Sequence, residues 1–183
     1  MINQNKRIKS IKKQFLKYEI PTVTPKTLMY WKKAKGVHVW DFYNKKLIDF
    51  TSTIFVSNIG HSNSNFIRDV KKTLESQPSH TYNYYHSNRL KYSRDLIKFI
   101  NNKKLNKCYL LSSGSEATEA SLKLMRLYGT KLKKNKDKKG VIALKGNWHG
   151  RTMGAQMMSG NNKQSAWVGF HDKNIYHLDF PNP

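Results

Sequence analysis

The chain has 183 residues, with 34 Lys and Arg against 11 Asp and Glu, 38% hydrophobic residues and one cysteine, enough for one domain or a little more. At this length roughly 70% of the unfolded surface can be buried, so the fold needs no staples; Cys108 lacks a disulfide partner, which suits a reducing compartment. No apolar run approaches the roughly 18 residues of a spanning helix, and the polar start MINQNKRIKS lacks a signal-peptide core, so a soluble, cytoplasmic protein is expected.

The formal net charge of +23 first suggests nucleic acid, because a basic face gains affinity by releasing counterions from phosphates. Only Arg7, Arg68, Arg89, Arg94, Arg126 and Arg151 are arginines, and arginine is the residue suited to bidentate phosphate and base contacts. The excess is lysine spread along the chain with asparagine and isoleucine, as a coding bias at exposed positions produces. Nucleic acid is therefore not the expected partner. The densest run, Lys131 to Lys139, reads as a solvated loop.

In chain order, Ile8, Ile11, Phe15 and Tyr18 recur at three- and four-residue intervals, which predicts a basic amphipathic helix over residues 2–18. Pro21 and Pro25 break any continuation. The runs TLMYWKK, GVHVWDF and KKLIDF, with Gly36 and Tyr43-Asn44-Lys45 as turns, predict a small antiparallel meander over 27–50. Phe66, Ile67, Val70 and Leu74 predict a helix capped by Ser62 or Asn63 and ended before Pro78; Leu90, Ser93, Leu96, Ile97 and Ile100 predict another. Cys108 to Leu111 reads as a strand leading into a helix, and Val141 to Leu144 as the next strand. That order implies a right-handed parallel unit in an α/β layer.

Two segments carry candidate chemistry. In SSGSEATEASLKLMRLYG, residues 112–129, Ala117, Ala120, Leu124 and Leu127 form the apolar stripe, Glu116 and Glu119 fill the first turn and Gly129 closes the helix. Its N-terminus offers unpaired amides and the positive end of the dipole, and Gly114 between Ser113 and Ser115 admits an anion closely. It is neither a Walker loop nor a dinucleotide fingerprint, and an ordinary Ser-capped helix reads the same way. In KGNWHGRTMG, residues 145–154, glycines bracket Trp148, His149 and Arg151 at a strand's carboxyl end, where open α/β sheets bind ligands. Trp148 suits stacking on a flat ring and Arg151 a fork onto a carboxylate. A core Trp, a satisfied His and a surface Arg are the plain alternative.

GSEATEASLKLMR and WHGRTMG, in that order and spacing, resemble the class III aminotransferases, pyridoxal-phosphate enzymes of fold type I. GVHVWDFYNKKLIDF is similar to the family's small-domain meander, and Asn58 to His61 to its N-x-GH turn. The resemblance spans about residues 20–183. Where the family usually has His-Pro after GH, this chain has Ser62-Asn63-Ser64, losing the Pro at the helix opening.

The resemblance implies a partial three-layer α/β sandwich: a basic helix at 1–20, a small-domain meander segment at 21–60, and the start of the cofactor-binding large domain at 61–183. It implies pyridoxal 5'-phosphate held by Ser113, Gly114 and Ser115, Trp148 stacked on its ring and His149 shaping the loop. Arg151 is expected on the substrate carboxylate, with Ser57 and Asn58 near the substrate. The activity implied is transfer of an amino group from an ω-amino acid or related amine to a keto acid, by a homodimer when full length. The family's Asp that pairs with the ring nitrogen and its Schiff-base Lys have no counterpart in this sequence, so the chain reads as an N-terminal portion, inactive alone. A metal site has no supporting His or Cys pattern, and no GxSxG elbow supports a hydrolase. A basic nucleic-acid-binding module is the alternative.

Overall fold

The computed structural model describes residues 2–20, 29–131 and 138–181, and the chain divides into two compact units, Met1–Tyr84 and Tyr85–Pro183.

In the first unit, helix α1 (Ile2–Tyr18) matches the expected basic helix. Ile8 is buried and Ile11 half-buried, whereas Phe15 and Tyr18 are exposed, so only the start of the apolar stripe is used. Strands β1 (Trp31–Lys35), β2 (His38–Asp41) and β3 (Lys46–Ile48) form an antiparallel sheet in the order β1-β2-β3. Its central strand carries Val39, 2% exposed. The Asp41 carboxylate accepts the amides of Tyr43 and Lys45, both at 2.8 Å, which lets Asn44 take its positive φ of 61° in the β2–β3 turn.

Next comes α2 (Ser52–Phe55), a single turn of opposite hand: all four residues have positive φ, from 44° to 67°. The asparagine-glycine turn after it docks on the β1–β2 turn, where Gly36 and His61 exchange both backbone hydrogen bonds at 2.8 Å. Gly60 is needed at that crossing, since a Cβ there would come within 3.3 Å of the Gly36 Cα. Helix α3 (Ser64–Ser76) is capped by Asn63, whose side chain accepts the Phe66 amide at 3.0 Å. Ser62 instead turns its hydroxyl to the Ala34 carbonyl at 2.9 Å. Asn63 thus supplies the start that the missing Pro leaves open.

The second unit begins with α4 (Ser87–Ile100), stopped by Asn101 in the left-handed conformation. Residues 108–111 are not a strand, contrary to expectation, because no neighbouring backbone among the described residues pairs with them. Helix α5 (Gly114–Lys131) is followed by β4 (Val141–Leu144), α6 (Met153–Met158), α7 (Asn162–Ser165) and β5 (Ile175–Leu178). The parallel pair is β4–β5, in register from Val141 opposite Ile175 to Leu144 opposite Leu178. The crossover therefore runs through α6 and α7 rather than α5. Leu122, Val141, Ala143 and Met158 form the core, with Ile175 packed against them.

Helix α5 packs on a face other than the expected one. Leu124 and Leu127 are about half exposed, while Leu122 and Gly129 are buried. The contact line is Ser115, Glu119, Leu122, Arg126, Gly129, spaced at three and four residues. Arg126 pairs with Asp172 at 2.7 Å. A Cβ on Gly129 would lie 1.9 Å from the Lys138 carbonyl oxygen. Gly129 thus permits close approach inside a helix that continues to Lys131, rather than closing it. Of the expected lysine-rich loop, residues 132–137 lie outside the described residues, as do Pro21 and Pro25.

Candidate active site

The two glycine-bearing segments meet in the second unit. Gly150, buried and at φ 126°, lies against the first turn of α5: a Cβ on it would fall 2.1 Å from Ser115 Oγ and 3.0 Å from Ser115 Cα. Four residues on, Gly154 approaches Glu119 and Leu122 as closely. The Glu119 carboxylate accepts the amides of Gly154 and Ala155 at 2.8 and 3.2 Å, capping α6 from a neighbouring helix. Glu119 thus belongs to the second turn of α5 and serves α6. One side of α5 fixes the middle and the far end of the loop that carries Trp148, His149 and Arg151.

The start of α5 is a capping box. Ser113 Oγ accepts the Glu116 amide at 3.2 Å, while the Glu116 carboxylate accepts the amides of Ser112 and Ser113 at 2.9 and 3.1 Å. The Ser-x-x-Glu spacing at 113–116 was the sequence signal for it. Three amides, those of Ser112, Ser113 and Glu116, are thereby satisfied internally. The intervening two, Gly114 and Ser115, donate to no acceptor among the described residues, as first-turn amides must unless something outside the helix accepts them. In front of Gly114 nothing lies within 4 Å of where a Cβ would stand. An anion therefore finds free amides, open space and the positive end of an 18-residue helix.

Trp148 stands 65% exposed on the loop, and the Arg151 guanidinium lies over its ring at 5.5 Å from the centroid. That is a cation–π arrangement. Arg151 covers one indole face, and the side chain is otherwise largely exposed. His149, half-buried, points with Asn147 into a cavity of about 430 Å³ between α5 and β4, lined also by Ala117, Ser121 and Ile142. The loop leaves β4 at its carboxyl end, held by hydrogen bonds from Lys145 N–H to the Leu178 carbonyl and from Gly146 N–H to the Ser159 carbonyl, both 2.9 Å.

Ser57 and Asn58 belong to the first unit. The Ser57 hydroxyl lies 2.6 Å from Thr53 Oγ1, and its amide donates to the Ser52 carbonyl at 2.9 Å, so it closes the left-handed turn. Beside it, Asp49 and His61 pair at 2.9 Å with side chains 2% and 13% exposed. Hydrogen bonds from Thr51 and His61 lower the Asp49 carboxyl to about 2. Sequence reading missed this pair, because its partners are far apart in the chain and carry no motif.

Comparison with known proteins agrees with this architecture. The family model described as aminotransferase class-III matches residues 20–183. Mitochondrial acetylornithine aminotransferase of Candida glabrata is 38% identical over 134 residues, which are 70% of this chain and 31% of the relative. Among solved structures, the ornithine aminotransferase of Toxoplasma gondii ME49 superposes with a TM-score of 0.84 at 18% identity, covering 94% of this chain and 40% of that one. The omega transaminase of Pseudomonas jessenii, solved in complex with PMP, gives 0.82 at 19%, covering 92% and 39%. The fold is that of the fold type I transaminases, and the chain spans about two fifths of the length of those solved structures. With the family pattern covering all but the first helix, the chain belongs to the class-III aminotransferases.

Proposed function

We propose that this chain is the cofactor-phosphate portion of a pyridoxal-phosphate-dependent transaminase that moves the amino group of an ω-amino acid or related amine to a keto acid. The observation that supports it best is the pair of unpaired amides at Gly114 and Ser115, with open space where a Gly114 side chain would stand, beside the loop of Trp148 and Arg151. Phosphate, ring and carboxylate each find one matching group there. When bound, the cofactor supplies an electron sink for the carbanion formed at the carbon bearing the amino group.

The chain's own residues bind and orient. Gly114 and Ser115 give their amides to the phosphate, and the Ser113 hydroxyl, which accepts from Glu116, keeps its own proton to donate. Trp148 offers its exposed indole to the ring. His149 fixes the loop from the cavity side. Arg151 leaves the indole to fork onto the substrate carboxylate. No residue of this chain is assigned a proton-transfer role, and the activity is that of a longer homodimeric protein. Within it, residues 21–60 are the small-domain segment and 61–183 the start of the large domain.

The cradle is tested with pyridoxamine 5'-phosphate, which has no aldehyde and so does not label surface lysines. Phosphate hydrogen bonds to charged acceptors contribute roughly 1.5–3 kcal/mol, so pyridoxamine without the phosphate should bind at least roughly tenfold more weakly by equilibrium dialysis. Gly114→Val fills the open space without touching the protein and should weaken the phosphorylated ligand alone. Equal affinity for the two ligands would refute the cradle.

A further inference from the structure

Helix α1 (Ile2–Tyr18) precedes the segment matched by the family, which begins at residue 20, and the transaminase reading gives it no task. It contains no acidic residue. Lys6, Lys9, Lys13 and Lys17 follow one another at three- and four-residue steps, so their ammonium groups share one side of the helix and rise about 16 Å along it. All four are exposed, and Lys12 and Leu16 flank them around a shallow groove. Ile8, on the opposite side, is buried, and the neighbouring Arg7 guanidinium lies 5.5 Å from the Phe42 ring centroid. The helix is thus docked by one side with its lysines facing out. None of the ion pairs among the described residues involves α1.

Such a column is self-repelling, because like charges at these spacings destabilise a helix. A polyanion laid along it would relieve the repulsion. At its carboxyl end the column meets an exposed ring: Tyr18 is 78% exposed, with Lys17 Nζ 5.0 Å from its ring centroid. Cations that track a backbone, followed by an aromatic face on which a base can stack, are the elements of sequence-blind single-strand binding. A bilayer would instead need the whole apolar side of the helix, whose first half is taken up by the protein at Ile8 and Ile11.

We infer that α1 is a docking strip for single-stranded nucleic acid, held through its phosphates by Lys6, Lys9, Lys13 and Lys17 and stacked at Tyr18, independently of the transaminase site.

The test measures binding of the 183-residue chain to a fluorescent oligouridylate across a salt series. Single-strand binding loses about 0.7 in the slope of log K against log salt for each phosphate contact removed. Lys9→Gln with Lys13→Gln, which keeps helix propensity, should therefore lower the slope by about 1.4 and weaken binding roughly tenfold at low salt. Lys71→Gln with Lys72→Gln on α3 removes the same charge and should leave the slope unchanged. Tyr18→Ala should cost at least roughly fivefold with no change in slope. Equal losses in the two lysine pairs, or a flat slope in the parent, overturn the proposal. So does tighter capture of the chain by phosphatidylserine-containing vesicles than by the oligonucleotide.

Discussion

Arg151 and Trp148 are coupled before any ligand arrives, since the guanidinium rests on the indole. In a longer polypeptide that supplies the cofactor-linking Lys, Arg151→Lys keeps the charge but removes the fork. It should lower catalytic efficiency roughly ten- to a hundredfold for donors bearing a carboxylate, the factor implied by 1.5–3 kcal/mol, and hardly at all for a simple amine. A steady-state comparison of the two donor classes checks this; equal losses would make Arg151 a loop-structural residue. Trp148→Ala should weaken cofactor retention for every donor. It also removes the resting place of Arg151, so the double variant should deviate from additivity. Asp49 offers a separate test in pH. Its folded value of about 2 lies below the ordinary 3.8, so its contribution to stability is complete above about pH 4 and fades as pH falls toward 2. Urea midpoints of Asp49→Asn should be flatter than the parent's over that window.

Helix α5 shows how polar residues replace an apolar seam. Its packing side presents Ser115 to Gly150, Glu119 to the amides of α6 and Arg126 to Asp172, with Leu122 in the core. The Asp172 carboxyl is partly desolvated, which disfavours its charge, yet the Asn174 amide and the Arg126 guanidinium outweigh that and lower its pKa. Glu119→Ala leaves two amides at the start of α6 without an acceptor and should cost roughly 1.5–3 kcal/mol in urea unfolding; Glu119→Gln, which keeps an oxygen, should cost less. Gly129→Ala separates two opposed effects. Alanine favours a helix interior by about 1 kcal/mol, but its methyl would strike the Lys138 carbonyl. Backbone cannot yield as a side chain does, so the net effect should be destabilising. A rise in Tm would show that the segment at Lys138 moves aside.

Across the whole chain, much apolar surface is left uncovered in each unit: Phe66, Ile67, Val70 and Leu74 along α3, Ile54, Phe55 and Val56 on the left-handed turn, and Leu90 and Phe99 on α4 are all exposed. Patches of this kind bind partners or dye, so the 183-residue chain should enhance the fluorescence of a hydrophobic dye; a dye-negative, monodisperse monomer would count against it. The sequence by itself determined the order and type of α1, β1, β2, β3, α3, α4, α5 and β4, but not α2, α6, α7 or β5, because three- and two-residue periods, glycine turns and caps are local signals that these short elements lack. It also singled out the two glycine-bearing segments that the fold brings together, since a Ser-Gly-Ser helix start and a glycine-bracketed Trp-His-Gly-Arg loop are patterns of neighbours in the chain. Only the tertiary structure decided which side of α5 packs, why Gly129 stands inside a helix, that Asp49 meets His61, and that β4 pairs with β5 while residues 108–111 pair with no strand among the described residues. Each of these depends on a partner distant in sequence. A buried polar contact such as Glu119 with Gly154 runs against the hydrophobic pattern from which periodicity is read, so only the assembled fold reveals it.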